Sequence, residues 1–249
     1  MKRSRVLLAF AVLAGGVQHL SSQSVTAINM MIVGSEGSES VRAKGAESRL
    51  DDLQEYLTAS LGGRSKNVIV LPLSKQASPF PTIATAYSTS DSTDLLVAVW
   101  MGPWQRNEKI QERSELLTGQ KSRIQAEYLL NFATFAPSKS MLMFIVAPQQ
   151  FAFPEMILKN PNAPMTSGGK YIVVVKPAAG MDFDGLMDAF EDILKDMPKS
   201  APMDANKDGW VTVSEWLRDF MNKSRAQNLT LTMSQVAKFP DFRILEAKP

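Results

Sequence analysis

Asp94-Leu-Leu-Val-Ala-Val-Trp-Met-Gly102 decides the fold. Its middle is apolar at every position, with no alternation of polar and apolar residues, and a short run of that kind reads as a strand buried on both faces. Four similar runs occupy residues 28–33, 68–71, 141–146 and 171–175. Between them the spacing turns helical. Residues 48–61 place Leu50, Leu53, Tyr56, Leu57 and Leu61 on one face, and residues 123–136 do the same with Ile124, Tyr128, Leu129 and Phe132. Strand and helix alternating in this way predict an α/β fold, a mostly parallel sheet sandwiched by helices in three layers.

Sheets of that type place their functional crevice beyond the carboxyl ends of the strands. The segments concerned are 34–40, 74–81, 101–107 and 147–154, rich in Gly, Pro, Ser and Gln. Trp104, Phe151 and Phe153 stand in them as aromatics expected at the surface, lining either a binding crevice or an ordinary packed rim.

Further along, residues 182–197 form an amphipathic helix with Phe183, Leu186, Met187, Phe190, Ile193 and Leu194 on one side. Pro198 and Pro202 then interrupt the chain. Beyond them, Asp204-Ala-Asn-Lys-Asp-Gly-Trp-Val-Thr-Val-Ser-Glu215 has the residue types of a twelve-residue EF-hand loop at each constrained position. Asp204, Asn206 and Asp208 supply hard oxygens, and Gly209 permits the sharp turn. Trp210 offers its backbone carbonyl, Thr212 ligates directly or through water, and Glu215 binds with both carboxylate oxygens. The expected cofactor is one Ca2+ ion. The competing reading is an Asp/Asn/Gly turn that caps a helix over 213–224 and holds no ion. The sequence has no second loop to pair with this one, so a structural ion held at about 10⁻⁴ to 10⁻³ M suits it better than a signalling switch.

At the other end, residues 1–24 combine a basic start (Lys2, Arg3, Arg5), an apolar run from Val6 to Val12 and the small residues Ala14, Gly15 and Gly16. This is the pattern of an export signal, too short in its apolar part to cross a bilayer. The expectation is a secreted or periplasmic protein, residues 25–249 forming one domain with no stable membrane anchor. Without the three leading basic residues the 27 Lys and Arg become 24 against 25 Asp and Glu, a near-neutral balance with no general attraction to nucleic acid.

The chain has no cysteine, and its one histidine, His19, falls inside the signal. Ser-His-Asp and Cys-His catalysis, thiolate metal sites and histidine-bound zinc are thereby excluded from the mature domain. A hydrolase would have to use a carboxylate pair, with Glu36, Glu39 and Asp94 as candidates, or Ser-Lys. Ser167-Gly-Gly-Lys170 is a formal S-x-x-K match, but it precedes a strand, where two glycines read as a turn.

The order of segments resembles the caspase-like, legumain-like cysteine peptidase fold. Met31-Ile-Val-Gly-Ser-Glu-Gly37 is similar to its opening strand and turn, Asp94 to Gly102 to the strand before its histidine loop, and Met141 to Val146 to the strand before its nucleophile loop. Tyr171 to Ala178 looks like the strand after that, and the 204–215 loop resembles an acidic element found near the carboxyl end of divergent bacterial members. At the two working positions this chain has Gly102-Pro103 and Ala147-Pro148-Gln149-Gln150. Proline cannot serve as a general base, nor glutamine as the nucleophile. The resemblance therefore implies a pseudoenzyme that keeps the scaffold and takes a peptide or protein partner at the former cleft.

Overall fold

The computed structural model describes residues 23–38, 41–42, 45–63, 65–76, 78–106, 114–118, 123–151, 169–199 and 203–247. The expected export signal, save its last two residues, lies outside these, as do Glu39, Phe153 and Ser167. In chain order the strands are β1 (Gln23–Ser24), β2 (Ile28–Gly34), β3 (Gly37–Ser38), β4 (Val41–Arg42), β5 (Asn67–Pro72), β6 (Leu95–Met101), β7 (Trp104–Arg106), β8 (Ser114–Leu117), β9 (Arg123–Gln125), β10 (Ser140–Val146), β11 (Gly169–Lys176), β12 (Trp210–Thr212), β13 (Thr230–Lys238) and β14 (Phe242–Glu246). The helices are α1 (Leu50–Ser60), α2 (Phe80–Ser88), α3 (Ala126–Phe135), α4 (Phe183–Asp196) and α5 (Val213–Ala226).

Six strands form the central sheet in the order β13-β11-β10-β6-β2-β5. Every residue of β2, β6 and β10 is buried, because helices cover both faces. Alternate side chains go to opposite sides. Met30, Ile32, Val97, Val99, Leu142 and Phe144 meet α1, α4 and α5, while Met31, Val33, Leu96, Trp100, Met143 and Ile145 meet α2 and α3. Phe144 is the hub of the first layer, its ring 5.8 Å from Phe190, 6.1 Å from Trp216 and 5.0 Å from Phe220. Burying one such ring contributes about 1.5–3 kcal/mol.

The expectation of a mostly parallel sheet needs correction. β13 runs antiparallel on β11, and of the ten strand pairings among the described residues five are antiparallel, so the architecture is mixed. Two further differences are local. The expected 74–81 segment runs into α2 at Phe80, since Pro79 and Pro81 fall at the helix start, where the missing N–H has no partner to lose. Residues 123–125 are a strand, and α3 begins after them.

Outside the central sheet, β7-β8-β9 form an antiparallel ribbon and β1-β14-β12 a small three-stranded sheet. Two helix starts are side-chain capped: the Asp182 carboxylate accepts the Gly185 N–H at 2.8 Å, and Thr212 with Glu215 forms a reciprocal capping box on α5. Among the described residues no helix is long and apolar enough to cross a membrane.

Candidate functional site

The first strand of the central sheet, β2, lies between β5 and β6, so the chain leaves it on one side and later returns to the other. The gap between the carboxyl ends of β2 and β6 is the switch point where such sheets place ligands. Here that gap is filled. Ser35 is fully buried, its N–H donating to the Met101 carbonyl at 3.1 Å and its hydroxyl to the Leu117 carbonyl. Gly102 has φ +142°, and a Cβ there would lie 2.7 Å from the Ser35 carbonyl oxygen.

The loops after β6 and β10, where the resemblance looks for histidine and cysteine, leave the sheet side by side, Met101 opposite Val146. Trp104 and Phe151 pack edge to face between them at 5.0 Å, 1% and 2% exposed. The expectation that these two aromatics lie at the surface is thus overturned, because the two loops lean on each other. Arg106 Nε donates to the Gln150 carbonyl at 3.1 Å, the Lys176 ammonium donates to the Phe151 carbonyl, and the Phe151 N–H closes a turn on Pro148 at 3.0 Å. Burial, with Arg106 nearby, lowers the Lys176 pKa.

Of the carboxylates considered for acid–base work, the two that are described, Glu36 and Asp94, do not share a crevice. Glu36 follows β2 at the carboxyl end of the sheet, whereas Asp94 is buried at the amino end, accepting from Asn29 at 2.8 Å and from the Asp91 N–H at 2.9 Å. Lys170 is likewise engaged at the amino end. Its ammonium donates to the Ala133, Thr134 and Ala136 carbonyls at 3.0, 3.2 and 2.6 Å, satisfying the carboxyl terminus of α3. Beyond β2 and β5 lies a groove of about 440 Å3 whose walls include Glu36, Glu47, Ser74 and Lys75. The Glu47 carboxylate there accepts the Ser74 N–H at 2.8 Å and the Ser74 hydroxyl.

The 204–215 loop is closed by its own side-chain oxygens. Asp204 Oδ1 accepts the Asp208 N–H at 3.1 Å and Oδ2 the Gly209 N–H at 2.8 Å. Asn206 Oδ1 accepts the Asp208 N–H at 2.9 Å, and Asp208 Oδ1 the Trp210 N–H at 3.0 Å. Gly209 has φ +87° with nothing within 4 Å of a Cβ position, so backbone conformation rather than space calls for glycine. The Glu215 carboxylate joins the two ends of the loop. Oε1 accepts from the Ala205 and Asn206 N–H groups at 3.0 and 3.4 Å, and Oε2 from the Thr212 N–H and hydroxyl, both at 3.0 Å. The Thr212 hydroxyl, expected as a ligand, is occupied as the cap of α5, accepting the Glu215 N–H at 3.4 Å.

Trp210 faces the loop through its backbone. The Gly209 carbonyl accepts the Ala247 N–H at 2.9 Å, and the register sets Trp210 opposite Glu246. Bonded and non-bonded pairs alternate along an antiparallel ladder, so the Trp210 N–H and carbonyl point away from β14. β14 itself covers one edge of β12. Neither this strand nor its Arg243 carried a sequence signal. Arg243 lies across the loop, its guanidinium 3.6 Å from Asp208 Oδ2 and 5.3 Å from the Trp210 ring centre.

This donor set, three carboxylates, one amide oxygen and one free carbonyl, has the chemistry of a hard-cation site. Asp204, Asn206 and Asp208 Oδ1 each spend one lone pair per oxygen on the N–H groups above and keep another. Glu215 has both lone pairs of each oxygen engaged, and among the described residues no three acidic side chains stand together at metal-holding distance. The residues that would hold such an ion are Asp204, Asn206, Asp208 and Glu215, with the Trp210 carbonyl.

No family model and no curated protein matches the chain. Among solved structures it is similar to the Drosophila initiator caspase Dronc, with TM-score 0.55 and 14% identity over 98% of this chain and 92% of that one. It is also similar to pro-sf-caspase-1, with TM-score 0.47 and 14% identity over 89% of this chain and 85% of that one. Over nearly its whole length, then, the chain has a caspase-like fold, as its order of strands implied.

Proposed function

We propose that this protein is an exported, non-catalytic calcium-binding protein, a pseudo-peptidase scaffold that holds one Ca2+ through Asp204, Asn206, Asp208, the Trp210 carbonyl and Glu215, with Thr212 left as the cap of α5. The observation that supports this reading is the inward turn of the Asp204, Asn206 and Asp208 oxygens, which line a closed loop and each retain a lone pair for a cation. The non-catalytic part rests on Gly102-Pro103 and Pro148-Gln149-Gln150 at the strand ends and on the complete engagement of the Lys170 ammonium. Export rests on residues 1–24. A peptide or protein partner would take the former cleft, at the loops after β6 and β10.

Binding only to the folded state raises its stability by RT ln(1 + [L]/Kd), about 1.4 kcal/mol when free calcium is tenfold above Kd. For a domain of this size that corresponds to a Tm increase of roughly 3–6 °C. Calorimetry of the mature protein in millimolar calcium against chelator should show the increase, and Glu215→Gln should abolish it. An unchanged Tm in the parent, or an equal rise in Glu215→Gln, refutes the site.

A further inference from the structure

We infer that Arg243 is a resident counter-cation of the 204–215 loop that an incoming divalent ion has to displace from Asp208, and that it sets the weak end of the loop's affinity. This rests on the calcium reading above. The guanidinium is the one cationic group in ion-pair contact with a loop carboxylate among the described residues, 3.6 Å from Asp208 Oδ2, and it lies over the Trp210 ring at 5.3 Å. Its Nε is buried with no hydrogen-bond partner, an unfavourable state for a donor. The group is therefore held where it is by Asp208 and the indole face rather than by a complete hydrogen-bond set.

Its backbone gives it little room to withdraw. Arg243 is the second residue of β14, opposite Thr212 of β12 on one side, while on the other its carbonyl accepts the Val25 N–H at 2.9 Å. A divalent ion at Asp208 meets a positive charge anchored to the same three-stranded sheet. The ion must break the Asp208 contact and then tolerate a like charge a few ångströms away, and both effects weaken binding. Trp210 reports the exchange, because the guanidinium over its ring has to shift. It is also partly exposed, whereas Trp100, Trp104 and Trp216 are at most 1% exposed.

The experiment compares the parent mature protein with Arg243→Gln, Arg243→Lys and Glu215→Gln by calorimetric titration with calcium chloride and by tryptophan emission. Arg243→Gln should bind about five-fold more tightly than the parent, and its emission should change less on titration. Arg243→Lys, which keeps the charge, should stay within about two-fold of the parent. Equal affinities for parent and Arg243→Gln, with binding lost in Glu215→Gln, overturn the role of Arg243 and leave the calcium site standing. An Arg243→Lys variant as tight as Arg243→Gln also overturns it, since charge would then not be the cause. Absence of binding in the parent overturns the site itself, and with it this inference.

Discussion

Replacing Lys170 by methionine tests how the amino end of the sheet is held. The substitution keeps the length and most of the volume of a side chain only 4% exposed, and removes the ammonium that serves three carbonyls at the end of α3. Hydrogen bonds from a charged donor contribute about 1.5–3 kcal/mol each, so three sum to about 4.5–9 kcal/mol before the opposing cost of desolvating the ammonium. That cost is several kcal/mol and outweighs much of the gain, in keeping with a lowered pKa, so the loss in the variant, about 3 kcal/mol, is that of three carbonyls left without a donor. At roughly 2–4 °C per kcal/mol the Tm should fall by about 6–12 °C.

The pH dependence adds an independent check. Burial holds the Lys170 pKa below its ordinary value of 10.5. Between the lowered and the ordinary value the unfolded chain binds more protons than the folded one, so this group makes stability rise with pH through that window. The methionine variant should lack that rise. Urea unfolding from pH 8 to pH 10.5 measures both effects; a loss under 0.5 kcal/mol at pH 8, or an alkaline slope unchanged from the parent, refutes the reasoning.

Two other outcomes are expected. Gly102→Ala should destabilise the fold by about 2–4 kcal/mol in urea, since the new methyl meets the Ser35 carbonyl oxygen at 2.7 Å in a backbone conformation that L-residues avoid; a cost under 1 kcal/mol would mean the switch point is loosely filled. Glu191 is held above its ordinary 4.5 by burial, against the lowering effect of Arg49, which reaches it at 3.1 Å. Between 4.5 and the raised value the folded state binds more protons, so its contribution is fully present below 4.5 and is lost as pH rises through the raised pKa. Arg49→Met should extend that window upward, seen as a steeper fall of stability between pH 5 and pH 7, and equal slopes would contradict it.

The five core strands were legible because each carries a nearly unbroken apolar run, broken only by Asn29 in β2; β5 shows the same run although it lies at the sheet edge and is partly exposed. Their observed ends differ from the expected ones by at most two residues. β13 was not legible. Thr-Leu-Thr-Met-Ser-Gln-Val-Ala-Lys mixes polar and apolar residues at an edge position, and missing it turned a mixed sheet into a mostly parallel one. The burial of Trp104 and Phe151 could not be read either, because it comes from two loops, some 45 residues apart, leaning on each other. Lys170 drew attention through a chance S-x-x-K spacing, while its partners lie more than thirty residues earlier. At the loop, ligand types and spacing were readable, but the strand beside it and Arg243 were not, since pairing partners distant in sequence leave no local pattern.

The strand that closes the structure has a consequence for handling the loop in isolation. A peptide spanning residues 204–226 would carry the ligands and the helix after them, yet it would lack the Ala247 bond to Gly209 and the rungs that fix Val211 opposite Leu245. Excised or grafted onto another scaffold, it would lose both its shape and its guanidinium neighbour, so it is not a portable module.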